Sequence, residues 1–286
     1  MNVTAAAHSA NSEEQGVCGN AAIVPEDFVI SVEAYTGTDE RVVVAPGVTK
    51  VGRRAFANNR YLREVVLPEG ITEIAEEAFT SCVNLTSVNI PSTVTVIGPG
   101  AFKGCWRLEE ALIPEGVEEL GEKTFCRCRQ LERVELPSTL RVIGDGCFQH
   151  CRKIGRISFP ESVERIGEGA FYNCQNLTFE NLPASLEMLD DEAFRTCTSL
   201  EEVVVPDTVG WVGQRCFKDC DGLRMAALPC GLEFVEEGTF EGCRALEVVV
   251  VPDTLAHVES HAFAGCGLAP DDIAFPDACE IAPNAF

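Results

Sequence analysis

Phenylalanine recurs at a fixed interval of 23 residues along this chain: Phe56, Phe79, Phe102, Phe125, Phe148, Phe171, Phe194, Phe217, Phe240, Phe263 and Phe286. An unbroken lattice of eleven such positions constrains the fold more than any local signal, because a long fixed period marks a stacked repeat. Counted from Phe102, Cys105 stands at +3, Leu108 at +6, Ala111 and Ile113 at +9 and +11, and Pro114 at +12. The cysteine column runs from Cys82 to Cys266, with Asn59 in the first copy, and the proline column from Pro68 to Pro252. Val117, Leu120 and Gly121 complete the unit.

Each column has a physical reading. Leu-x-x-Val-x-Ile ends in the alternation of a short half-buried strand. Proline has no N–H to continue a ladder and closes that strand. Val-x-x-Ile-Gly is a second extended piece, with glycine permitting a bend. Glu76, Glu122, Asp145, Glu168, Asp191 and Glu237 precede Ala-Phe or its equivalent, where carboxylates suit the start of a brief helical turn. One copy buries too little to fold alone, whereas stacked copies share a continuous core. The expected fold is a repeat solenoid: a stack of 23-residue units with short parallel β-strands and short helical turns. At strand spacing, eleven turns make a rod or arc roughly 50 Å long.

The unit Leu-x-x-Val-x-Ile-Pro-x-x-Val-x-x-Ile-Gly-x-x-Ala-Phe-x-x-Cys resembles the BspA-type leucine-rich repeat of bacterial and protist surface proteins, over about residues 42–286. The resemblance implies a leucine-rich-repeat-like, right-handed, all-repeat solenoid used in adhesion or protein recognition, without catalytic residues, and no cofactor is expected. Three segments are expected: a flexible leader over 1–22, an N-terminal capping unit over 23–55 and the array over 56–286. Phe28-Val29-Ile30 reads as a strand of the cap, and Tyr35-Thr36-Gly37 precedes the Val-rich strand much as in the opening units of bacterial members.

A net charge of −23 argues against nucleic acid or an anionic membrane surface as partner and leaves a basic ligand or a cation open, although acidic residues in turns and loops mostly provide solubility. Nine of the fifteen cysteines share one column. Identical side chains pointing the same way have poor geometry for bonding, so free buried thiols are expected, with the reducing conditions that they imply. Cys147/Cys151 and Cys216/Cys220 are four apart, but Cys147 and Cys216 fill a small-residue position, which favours packing over metal. His257 and His261 share no helix face in the repeat, and no phosphate loop or nucleophile elbow stands in a matching context, so an enzyme is not expected. The first sixteen residues do not read as a signal peptide, and no run of apolar residues is long enough for a membrane span. That leaves localisation between a cytoplasmic chain and a trimmed secreted one.

The candidate partner-binding residues are outward positions that turn apolar toward the C-terminal half. They are Phe179, Val204, Met225 and Val250 on the first strand, and Met188, Trp211 and Phe234 on the second. Aromatic and Met side chains are favoured at interfaces. The expected function is a non-enzymatic recognition or adhesion module that presents an extended surface to a protein or peptide, host and cell-surface partners included. The alternative is a self-associating structural element, or a cytoplasmic scaffold or regulator, with a homo-oligomer formed through the apolar stripe or the open C-terminal end. Two irregularities stand out. Glu180 falls in a core Val column, so its strand should shift or bulge, and Asp190 replaces a glycine.

Overall fold

The computed structural model describes residues 2–3, 31–32 and 34–286. Most of the expected leader, the Phe28-Val29-Ile30 strand, His8 and Cys18 lie outside the described residues. The rest is a parallel β-solenoid in which each coil carries two short strands. Successive coils pair in register at the 23-residue period, as in Glu119↔Val142 and Met225↔Val248. The second strands form an eight-stranded parallel sheet from Ser31–Val32 to Met188–Leu189, then a three-stranded one through Phe234–Val235, His257–Val258 and Glu280–Ile281. The first strands form three shorter sheets, the last built from Glu202–Val204, Met225–Ala227 and Val248–Val250. Asn2–Val3 lies parallel to Val43–Val44 at the N-terminal edge of the first of these.

The phenylalanine lattice becomes a column of rings. From Phe56 to Phe263 every anchor is buried, and consecutive centroids lie 5.0–5.8 Å apart with near-parallel planes. Tyr35 tilts onto Phe56 at 5.6 Å, closing one end of the column. Phe286 stacks on Phe263 at 5.1 Å, and Phe275 packs edge-on against both. Beside the rings runs the thiol column. Each column thiol from Cys82 to Cys243 donates to the carbonyl of the Phe in the preceding coil, as in Cys105 Sγ to Phe79 O at 3.1 Å and Cys174 Sγ to Phe148 O at 3.1 Å. All these cysteines are free. A small apolar group with one weak donor suits a buried carbonyl that would otherwise hold a single partner. In the first repeat Asn59 does the corresponding work, donating to Gly37 O at 2.9 Å.

The expected short helical turn around Ala-Phe takes another form. Backbone donors alternate there: Ala101, Lys103 and Cys105 N–H close i→i−3 turns, while Gly100, Phe102 and Gly104 donate to the next coil, Phe102 N to Thr124 O at 2.8 Å. An α-helix points every N–H the same way, so this alternation excludes it. Left-handed residues two before and two after each Phe from Phe56 to Phe263 accompany it, among them Gly100 (φ 61°), Lys123 (φ 56°), Arg127 (φ 65°) and His150 (φ 65°). Among the described residues the one helix is the single 3-10 turn Pro270–Asp272, in the irregular last coil. The carboxylates before Ala-Phe therefore cap no helix. Several bridge coils instead: Asp191 Oδ1 accepts from Gln214 N at 2.7 Å, and Asp145 Oδ1 from Glu168 N at 3.1 Å.

Candidate functional site

The repeat sorts surface residues into columns, so neighbours one coil apart are 23 apart in sequence. On the last first-strand sheet the inward column is Val203, Ala226 and Val249, all buried. The outward columns are Glu202–Met225–Val248 and Val204–Ala227–Val250, with only one charged member. On the second-strand side the outward column reads Met188, Trp211, Phe234, His257. Leu189 bridges Val212, which sets Met188 beside Trp211 in adjacent coils. Trp211 Nε1 donates to Glu236 Oε1 at 2.9 Å, and His257 stacks on Phe234 at 4.9 Å.

Five of the seven expected site residues are exposed: Met188, Val204, Trp211, Phe234 and Val250 retain between 39% and 53% of their surface. Met225 is half-buried, between Glu202 and Val248 in its column. Phe179 is a correction. Its ring packs against Phe159 at 5.4 Å and Phe194 at 5.3 Å, so it faces the core and not the partner side. The cause is Glu180. Arg156 bridges Thr178 where the regular register would place Phe179, a slip of one residue. One step in a strand exchanges its faces. Phe179 thus takes the inward slot, and Glu180 reaches solvent beside Arg156. Asp190, in the glycine column, forms an ion pair with Arg165 at 2.5 Å. The seven residues do not make one patch: Val204, Met225 and Val250 share one sheet face, and Met188, Trp211 and Phe234 line another.

A third feature lies outside the strands. Trp106, 44% exposed, carries the Arg129 guanidinium over its ring at 4.7 Å. A cavity of about 640 Å³ opens beside them, lined by Asn84, Arg107, Glu109 and Gln130 among others. Reading the sequence along strand positions misses it, because Trp106 and Arg129 occupy the +4 column, between cysteine and leucine. Reading down that column gives Arg60, Val83, Trp106, Arg129 and Arg152.

The buried thiols of the column offer no reactive centre. Burial pushes Cys82 up to about 12 and raises Cys105, Cys147, Cys174 and Cys220 well above the ordinary thiol value, so they stay protonated and unreactive near neutrality. Among the described residues no three His, Cys, Asp or Glu side chains converge as metal ligands, and no helix is long and apolar enough to cross a membrane.

Comparison with known proteins fits this geometry. The BspA type leucine-rich repeat region matches residues 30–155 and 142–269. A leucine-rich cell surface protein of Faecalibacterium prausnitzii is 26% identical, over 92% of this chain and 89% of that one, with a TM-score of 0.52. A leucine-rich repeat protein of Eubacterium ventriosum shares the fold at 17% identity and a TM-score of 0.53, over 92% of this chain and 90% of that one. No curated protein matches the chain. With its Phe and Cys columns, its paired short strands and this match over most of its length, the chain belongs to the BspA-type leucine-rich repeat family.

Proposed function

We propose that this chain is a non-enzymatic recognition module that holds a protein or peptide partner on its C-terminal apolar faces. The observation that carries the reading is the pair of solvent-facing apolar columns, Val204–Ala227–Val250 with Val248, and Met188–Trp211–Phe234. Adjacent exposed apolar side chains on a rigid surface have a use, and aromatic and Met groups supply most of the contact energy at interfaces. Leucine-rich repeat proteins generally bind proteins and are generally non-enzymatic, which supports the same reading. The net charge of −23 favours a partner with a basic rim around its apolar anchor. Display at a cell surface is supported by the similarity to the Faecalibacterium cell surface protein.

Trp211→Ala and the pair Val248→Thr/Val250→Thr remove outward groups only, so thermal unfolding should be unchanged. Quantitative capture from extracts should then yield a protein retained by the parent chain and lost from both variants. Retention that does not differ between parent and variants refutes the assignment of these faces. Light scattering separates the self-association reading: a dimer abolished by Trp211→Ala means that the partner is a second copy.

A further inference from the structure

The cations of this acidic chain are not evenly distributed. Of its 22 Lys and Arg residues, sixteen have a carboxylate within 4.0 Å. The six without one among the described residues are Arg60, Lys103, Arg107, Arg127, Arg129 and Arg152. Every one of them lies within five residues after a Phe anchor, on the coils of Phe56, Phe102, Phe125 and Phe148. Across the same five positions of seven consecutive coils, from 57–61 to 195–199, there is no Asp or Glu. An otherwise acidic solenoid therefore has one positive edge, opposite in sign to the rest of the molecule.

The edge is also shaped. Trp106 and Arg129 form its centre, beside the cavity lined by Asn84, Arg107, Glu109 and Gln130. Asn84 Nδ2 is fixed by the Arg60 carbonyl at 2.7 Å, and its Oδ1 has no partner among the described residues. His150 reports how tightly the cations gather: its pKa is held down first by burial and then by Arg127, Arg152 and Arg129. Guanidiniums grip carboxylate or sulfate oxygens bidentately, while a flat aromatic face accepts the C–H face of a pyranose ring and neighbouring amides pair with its hydroxyls.

We propose that this edge binds an acidic saccharide, with a sugar ring on Trp106, its carboxylate or sulfate on Arg107 and Arg129, and hydroxyls on Asn84, Gln130 and Glu109. A nucleic-acid strand fits less well. The free cations span four coil steps, roughly 20 Å. A densely charged polyphosphate would run past them onto acidic surface, which repels it over the Debye length of about 8 Å. A short, sparsely charged sugar chain stays within the patch.

The test is titration calorimetry of the full chain with oligogalacturonate, a heparin-derived oligosaccharide, a neutral malto-oligosaccharide and single-stranded oligodeoxythymidine. One or both acidic saccharides should bind, which also distinguishes carboxylate from sulfate, and the neutral sugar should not. Trp106→Ala and Arg129→Gln should each weaken binding about tenfold, the loss of one charge-assisted or stacking contact. Arg224→Gln, which alters a paired cation just before the strand Met225–Ala227, should leave binding unchanged. The proposal is overturned if neither acidic saccharide binds, if the neutral sugar binds equally, or if the oligonucleotide binds more tightly. It is equally overturned if Trp106→Ala and Arg129→Gln bind as the parent does. All three substitutions fall on exposed side chains, and an unchanged circular-dichroism melt verifies the fold.

Discussion

Phe148→Ala tests the ring column at its middle. Phe148 is fully buried, between Phe125 at 5.5 Å and Phe171 at 5.3 Å. Truncating a buried Phe costs about 3–5 kcal/mol in transfer and cavity terms. Two ring–ring contacts, at about 0.5–1.5 kcal/mol each, place this site toward the upper end. Phe286, by contrast, is half-buried, with one neighbour in the column, Phe263 at 5.1 Å. Phe286→Ala should therefore cost less than half as much. Coils touch only their neighbours, so the central lesion should also uncouple the two halves. The two tryptophans lie on either side of it, Trp106 before and Trp211 after. Urea unfolding followed through single-tryptophan variants should give coincident transitions in the parent and separated ones in Phe148→Ala. A loss below about 1 kcal/mol, or an equal loss in Phe286→Ala, refutes the column as the main source of stability.

Two further outcomes follow from the coil geometry. Burial raises the ladder thiols above their ordinary value of 9.0, Cys82 to about 12 and Cys105, Cys128, Cys174 and Cys220 well above it, so the unfolded chain ionises first as pH rises. The stability they contribute is whole below pH about 9 and is lost toward the folded values, at about 1.4 kcal/mol per pH unit for each thiol. A denaturant midpoint that stays flat from pH about 9 to about 10.5 contradicts this. Gly100 sits at φ +61°, and a Cβ there would meet no atom closer than 3.5 Å, so Gly100→Val should cost about 1–2 kcal/mol through the backbone alone. Gly155→Ala, at ordinary φ with nothing within 4 Å, should be near neutral in thermal melts.

The strands, the core columns and the free-thiol ladder are legible in the sequence because each depends on one residue type recurring at one offset. The turn around Ala-Phe is misread as helical when a single copy is considered. Compared down the columns, Gly100, Gly146, Gly169 and Gly238 before Phe, and Gly104, Gly242 and Gly265 after it, mark two left-handed positions that no helix holds. Glu180 signals a bulge, but not its consequence. Which residue turns inward depends on how the neighbouring strand re-pairs, and that exchange turns the half-buried Phe179 onto the core. The Trp106 cleft depends on contacts between residues one coil apart, so only column-wise reading brings Arg129 and Trp106 together.

The proposed recognition surface requires a rigid solenoid to hold aromatic and apolar groups outward, free to meet a partner. The chain has two tryptophans, so Trp106→Phe and Trp211→Phe each leave a single reporter. Acrylamide quenching of the Trp106→Phe variant, with the mass measured in the same sample, isolates Trp211. The expected result is a monomer whose Trp211 is quenched readily, as a surface indole is. A monomer whose Trp211 resists quenching would place that ring under its own chain and contradict the recognition surface.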